Sequence, residues 1–342
     1  MVGNRLGLAA ALALAAIAVA PASLANDSSA ELTTGGLVLT HDPAIEMKAE
    51  DLYISAKDVR VRYRFANTSA KDVTITVAFP MPDITIEGED DMISVPTEDP
   101  RNLLGFATTV DGKPVVAQVE QKVFSKGVDR TAYLIAHGIP LAPHLKPTND
   151  ILDALPQARK DEIVKMGLGQ IMEYDAGKGW EHHLYATWTL KTKYYWRQTF
   201  PAGREIVVEH HYKPSVGASA GTSWGAAYFP KDPQYGAQRR RYCVDDAFLA
   251  AIKNTPHRPD VEFAPFTEQR IDYVLTTGAN WKAPIGAFRM VIDKGDANSL
   301  VSFCGEGVRK IGPTQFEVRH TNYTPTKEVS VLILKLMTGE TP

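Results

Sequence analysis

The chain has 342 residues, 44% of them hydrophobic and 23% charged, with a formal net charge of -3 and two cysteines. These figures exclude a disordered polymer, a disulfide-dense mini-protein and a multi-span membrane protein. They also argue against nucleic acid as a partner, because no basic excess is present to neutralise phosphates.

The first 25 residues differ from the rest. Arg5 supplies a positive start, Leu6 to Ala20 form an apolar run, and Pro21 breaks any helix. Ser23-Leu24-Ala25 then places small residues at −3 and −1 before Asn26. This is the pattern of an export signal cleaved after Ala25, and the apolar run is short for a membrane span. An uncleaved N-terminal anchor is the alternative reading. Cleavage leaves 317 residues with a net charge of -4. No later stretch reaches the length of a membrane span, so the mature chain is expected to be periplasmic or secreted and not an integral membrane protein. Export also changes the cysteines: Cys243 and Cys304, 61 positions apart, form an even pair in an oxidising compartment and are expected to bridge. Two buried thiols are the alternative. A metal site is disfavoured, because neither has a CxxC or CxxH neighbour.

From Asp51 the chain alternates. Val59, Val61, Tyr63 and Phe65 take every second place and Arg60, Arg62 and Arg64 the others, a half-buried strand with a polar outer face. Asn67 to Asp72 read as a turn, and Val73, Ile75, Val77 and Phe79 alternate again up to Pro80. Gly105 to Val110 leads into the turn signal Asp111-Gly112, and Val115 to Val123 leaves it. Thr148 or Asn149 caps a helical stretch from Asp150 to Leu155, and Pro156 opens another to Met166, an insertion near 146–176. Trp188 to Trp196 and Glu205 to Tyr212 are expected to pair as a hairpin across Phe200-Pro201-Ala202-Gly203.

Ser215 to Gly225, rich in Gly, Ser and Ala, reads as a linker. Beyond it, Val244 to Lys253 has helical spacing. Asp272–Leu275, Ala287–Ile292, Leu300–Cys304, Gln315–Arg319 and Val329–Leu336 read as strands. The expected architecture is therefore mainly β, with two β-sandwich-like domains at 26–214 and 215–342, the second stapled by Cys243–Cys304.

The order of strand, Phe65-x-Asn67-x-Ser69, strand, Phe79-Pro80-Met81-Pro82, Asp111-Gly112-Lys113, Glu120-Gln121-Lys122 and Tyr133 resembles the VIT module of inter-alpha-trypsin inhibitor heavy chains and vault-associated proteins, over roughly residues 50 to 213. That resemblance implies a β-sandwich without known catalysis. The helical insertion departs from it, as does the absence of a von Willebrand A domain with its Asp-x-Ser-x-Ser motif, so the adhesive function does not carry over. Nearly the whole chain after Ala25 also resembles a family of secreted proteobacterial proteins with a domain of unknown function. The resemblance rests on Asn26-Asp27-Ser28-Ser29-Ala30-Glu31-Leu32, Gly35-Gly36-Leu37, Phe79-Pro80-Met81-Pro82, Thr277-Gly278-Ala279-Asn280-Trp281 and Phe303-Cys304-Gly305-Glu306-Gly307. It implies an envelope location and no particular activity.

Chemistry-bearing patterns are few. Gly221-Thr222-Ser223-Trp224-Gly225 matches G-x-S-x-G, but a nucleophile elbow needs a strand before and a helix after, and here a Gly/Ser-rich loop precedes it. Of Glu181-His182-His183 and His210-His211, one imidazole of each pair can face a common site, so His183 and His211 are the candidate metal ligands, against satisfied surface or core histidines. Trp188, Tyr194 and Trp196 share a face of one strand and are candidates for stacking on a glycan, against core packing. Glu87 to Asp91 lack the D-x-D-x-D-G pattern of a calcium loop and read as a solvated acidic loop. No catalytic residue and no cofactor is assigned. The expectation is a non-catalytic binding or structural module of the bacterial cell envelope, with an envelope protein or glycan as partner. A metal-binding protein or hydrolase using His183, His211 or Ser223 is the alternative.

Overall fold

The computed structural model describes residues 26–34, 36–88, 93–175, 177, 179–256 and 264–337. The expected export segment, 1–25, lies outside them. Strands account for 46% of the chain and helices for 16%, so the protein is mainly β.

In chain order the strands of the first half are β1 (Ser28–Thr33), β2 (Gly36–Thr40), β3 (Ile45–Ser55), β4 (Val59–Asn67), β5 (Val73–Pro80), β6 (Ile84–Thr85), β7 (Ile93–Ser94), β8 (Ala107–Val110), β9 (Lys113–Val115), β10 (Gln118–Ser125) and β11 (Val128–Asp129). Helices α1 (Thr131–Ala136), α2 (Lys146–Asp153) and α3 (Gln157–Met166) follow, then β12 (Gly169–Asp175), β13 (Trp180–Ala186), β14 (Thr189–Phe200), β15 (Glu205–Tyr212) and β16 (Val216–Ser219). The remainder comprises α4 (Tyr235–Arg241), α5 (Asp246–Lys253), β17 (Phe266–Tyr273), β18 (Ile285–Asp293), β19 (Leu300–Phe303), β20 (Arg309–Lys310), β21 (Gln315–Tyr323) and β22 (Val329–Leu336).

One sheet runs β11-β10-β14-β5-β1-β2, with β6 added beside β14. A second runs β20-β21-β18-β3-β4-β15-β8-β9, and a third β19-β22-β17-β16-β7. β12 and β13 form a separate hairpin. The alternation read in β4 is what the second sheet uses. Val59, Val61, Tyr63 and Phe65 are buried, while Arg60, Arg62 and Arg64 point outward. The three arginines pair with Asp58, Glu209 and Glu205 at 2.8, 3.2 and 3.4 Å, exposed ion pairs of the kind that contribute little stability.

The inner faces of the first two sheets meet through large rings. Phe200 of β14 meets Phe65 of β4 edge-on at 5.9 Å, and Phe79 of β5 meets Tyr212 of β15 at 5.9 Å. The third sheet joins the same core through Tyr273, whose hydroxyl is 3.1 Å from that of Tyr63. β22 is apolar almost throughout because it is covered on both faces. Val331 and Ile333 enter the main core, and Leu332 and Leu334 enter a smaller cluster with Trp224, Tyr242 and Phe248 under α4 and α5.

One expectation changes. β14 and β15 do not pair with each other: β14 lies between β10 and β5, and β15 lies between β4 and β8 in the facing sheet. The Pro201–Gly203 turn therefore carries the chain across the core instead of closing a hairpin. Segments before and after position 214 share a sheet and a core. β18 pairs in parallel with β3, and the main cluster spans Ile45 to Ile333. The Cys243–Cys304 bridge is present, with Cα atoms 5.1 Å apart, and ties the end of α4 to the end of β19.

Candidate functional site

The helical insertion places a side chain that the strands alone would not. β13 has β12 on one side only, so the N–H groups of Leu184 and Ala186 point away from the hairpin. α2 covers that edge. Asn149 Oδ1 accepts from Ala186 N at 2.9 Å, and Asp153 Oδ1 accepts from Leu184 N at 3.2 Å. The match is geometric: four residues of helix rise about 6 Å, and two residues of strand advance about 6.8 Å. The segment before α2 is then pinned from both sides. Trp188 Nε1 donates to Leu141 O at 2.8 Å, and Thr148 Oγ1 donates to Ala142 O at 2.7 Å.

This pinned segment presents Pro143 and His144 to a cleft of about 450 Å³, open on one side. Met172 of β12 and Tyr185, Ala186 and Thr187 at the end of β13 form one wall. Ile86, Gly88, Ile93, Ser94 and Ala218 of β16 form the other. The volume falls within the range of small-molecule sites, and most of the lining is apolar. No Asp, Glu, Lys or Arg lines it among the described residues. Burial holds the His144 imidazole below its ordinary pKa, so it is neutral at neutral pH. Both of its ring nitrogens are buried and neither has a hydrogen-bond partner. A neutral imidazole offers one donor and one acceptor, and an unpaired buried group of this kind costs about 1–3 kcal/mol. The ring nitrogens are therefore covered by protein in this structure, and the cleft presents a largely apolar lining with no charged side chain among the described residues.

The residues singled out from sequence lie elsewhere. His183 sits on β13, with Nδ1 2.7 Å from Asp153 Oδ2 and Nε2 3.1 Å from Glu181 Oε2. The hydrogen bonds to Asp153 and Glu181 raise its pKa. His211 sits on β15 in a different sheet, and its Nε2 meets Asp58. The two imidazoles are not brought together, because the strand pairing that would have joined them does not occur. Among the described residues no group of three or more His, Cys, Asp or Glu side chains is arranged to hold a metal ion.

Trp188, Tyr194 and Trp196 do share one face, but that face is the core, and they are 2%, 4% and 4% exposed. Tyr194 stacks on Phe106 at 4.5 Å and donates to Asn102 Oδ1 at 3.0 Å, while Trp196 meets His210 edge-on at 5.5 Å. These three rings are therefore packed in the core and not exposed for stacking. Ser223 lies on the loop between β16 and α4, with its Oγ 2.9 Å from Tyr228 OH and no strand-to-helix elbow around it. Of the acidic loop, Glu89, Asp90 and Asp91 lie outside the described residues.

His144 escaped notice in the sequence because it is an isolated histidine in a Pro-rich stretch. The one signal there was the insertion itself, since a helical excursion between strands usually covers something.

The family model for DUF4424, a domain of unknown function, matches residues 25–332. No curated protein matches the chain. Among solved structures, a candidate nutrient binding protein from Legionella pneumophila aligns at 18% identity and a TM-score of 0.43, covering 91% of this chain and 70% of that one. An M1 zinc metallopeptidase from Deinococcus radiodurans aligns at 9% identity and a TM-score of 0.21, covering 86% of this chain and 43% of that one. Likenesses this distant carry no argument about activity.

Proposed function

The chain belongs to the DUF4424 family, whose description supplies no activity to inherit, and from its own geometry we propose that the protein is a non-catalytic binding module outside the cytoplasm that takes a small uncharged ligand in the His144 cleft. The observation that carries this reading is a largely apolar cleft of small-molecule size whose lining includes His144, a buried imidazole without a hydrogen-bond partner among the described residues. A ligand with a hydroxyl, amide or carbonyl group would fill the apolar cleft and bond His144 once the ring turns to expose a nitrogen. The disulfide supports an oxidising compartment, and the leader-like first 25 residues support export to the periplasm or beyond. The VIT-like order of motifs supports a module without catalysis of its own.

The test uses the protein recovered from the compartment into which it is exported. Native mass spectrometry of the wild type should show an added small-molecule mass. Ala218→Trp, which fills the cleft, should lose it, and His144→Phe should reduce its occupancy. A wild type without an added mass after exposure to a small-molecule extract of the producing cells, or the same mass on both variants, would overturn the reading.

A further inference from the structure

The two motifs that no cleft explains, Asn26 to Leu32 and Thr277 to Trp281, are brought together in the fold. Asn26, Asp27 and Ser28 are fully buried, although they stand at the expected start of the mature chain. The 277–281 segment wraps them. Thr277 Oγ1 accepts from Asn26 N and donates to Asn26 O at 2.7 Å. Asn280 Nδ2 donates to Ser28 Oγ at 2.9 Å, and Trp281 Nε1 donates to Asp27 O at 2.8 Å. Gly278 is required by proximity, since a Cβ there would stand 2.8 Å from Asn26 Nδ2.

Beneath this wrapping lie two buried carboxyls. Glu50 of β3 accepts from Asn26 Nδ2 at 3.0 Å, and Tyr273 lies beside it. Asp27 Oδ1 meets His210 Nε2 at 2.9 Å. Among the described residues Glu50 Oε1, Asp27 Oδ2 and Asn26 Oδ1 have no hydrogen-bond partner at ordinary distance, and the Tyr273 hydroxyl is the donor that bears on Glu50. The titratable groups facing the pair are His210, Tyr63, Tyr273 and Tyr323, so His210 is the one base and Glu50 has no cation among the described residues. Burial accordingly pushes Glu50 up to about 8. A site with two buried carboxyls, one imidazole and orphaned acceptors lacks a positive donor.

We propose that the missing donor is the α-ammonium of Asn26, released when the Ala25–Asn26 bond is hydrolysed, and that the fold holds this new N-terminus as a buried ligand of Glu50 and Asp27. Hydrolysis adds water across the bond: Ala25 leaves as a carboxylate, and the Asn26 nitrogen, previously an amide with one N–H, becomes an ammonium with three. One N–H already points at Thr277 Oγ1, and Asn26 Nδ2 already reaches Glu50, so the two new N–H groups are assigned to the Glu50 and Asp27 carboxylates. Removal of the leader thus completes the electrostatics of the core. The final packing of β1 against β5 and the 277–281 segment belongs to the exported, processed chain. This inference shares with the proposed function only the expectation of export, and the N-terminal mass separates the two.

The test expresses the full precursor and isolates the exported protein. Its N-terminus should be Asn26, and any other start overturns the proposal. Reductive dimethylation of the folded protein should label the α-amine at least about tenfold more slowly than in urea, because labelling then requires local opening. Equal rates overturn it. A precursor with Gly-Ser inserted after Ala25 should be exported and folded but melt about 2–5 °C lower. In a Glu50→Gln background the same insertion should lower Tm by less than half as much. An insertion without effect on Tm, or with the same effect in both backgrounds, refutes the pairing of the amine with Glu50.

Discussion

Replacing His144 by phenylalanine separates a binding histidine from a structural one. The ring shape is nearly kept, while two buried nitrogens without partners disappear. A structural histidine would hold hydrogen bonds, and losing them would destabilise the fold. Here no hydrogen bond is lost, and a desolvation penalty of about 1–3 kcal/mol is removed. For a chain of 317 residues the entropy of unfolding is roughly 0.7 kcal/mol per kelvin, so the unliganded variant should melt about 1.5–4.5 °C higher than the unliganded wild type. Differential scanning calorimetry on ligand-stripped protein measures this, and urea denaturation should give a higher midpoint with an unchanged slope. The order should reverse once the natural ligand is supplied, because only the wild type gains from binding. A variant that melts more than about 2 °C below the stripped wild type would show that the imidazole holds bonds the fold needs, and the argument for the cleft would fall with it.

Three further predictions concern the scaffold. Replacing Cys243 and Cys304 together with alanine opens a loop of 61 residues, which the chain-entropy model sets at about 4 kcal/mol and roughly 6 °C in Tm; dithiothreitol should act alike on the wild type and leave the variant unchanged, and coincident wild-type melting curves with and without it would refute the estimate. Asn149→Ala should leave the Ala186 N–H at an uncovered strand edge, costing about 1–2 kcal/mol and speeding hydrogen exchange at Ala186, whereas unchanged exchange would show that α2 does not guard the edge. The third is a pH effect. With Asn26 blocked by the Gly-Ser insertion, Glu50 keeps its proton in the fold up to about 8 but loses it near 4.5 when unfolded. The fold then binds the extra proton between those values, so stability falls as pH rises through that window, by about 1.4 kcal/mol per unit. Urea midpoints at pH 5 and pH 7.5 should show this fall, Glu50→Gln should flatten it, and a slope that survives Glu50→Gln would assign it to another group.

Much of the local structure was legible. β4 and most of β5 follow from period-two alternation, β22 from the apolar run 331–334, and α5 from Asp245, whose side chain accepts from Phe248 N at 2.7 Å. The bridge was expected from an even cysteine count together with the expectation of export, with two thiols as the alternative. The candidate site was not legible: His144 has no partner residue in sequence, and its meaning lies in what surrounds it. The aromatic face of β14 shows the boundary between the two kinds of information. Its alternation correctly puts Trp188, Tyr194 and Trp196 together, but alternation cannot say whether a face meets water or another sheet.

The sequence by itself determined which residues share a face and where the chain turns, because these depend on backbone periodicity and on Gly and Pro conformations, and it raised the expectation of a cysteine bridge that the structure shows. Only the tertiary structure decided that β14 and β15 part into facing sheets, that β18 joins β3 in parallel across 214/215, and that Asn26 lies beneath Thr277. Those outcomes depend on burying apolar faces from distant segments together and on finding partners for each buried polar group. The physical reason is that neither requirement leaves a mark at fixed spacing along the chain.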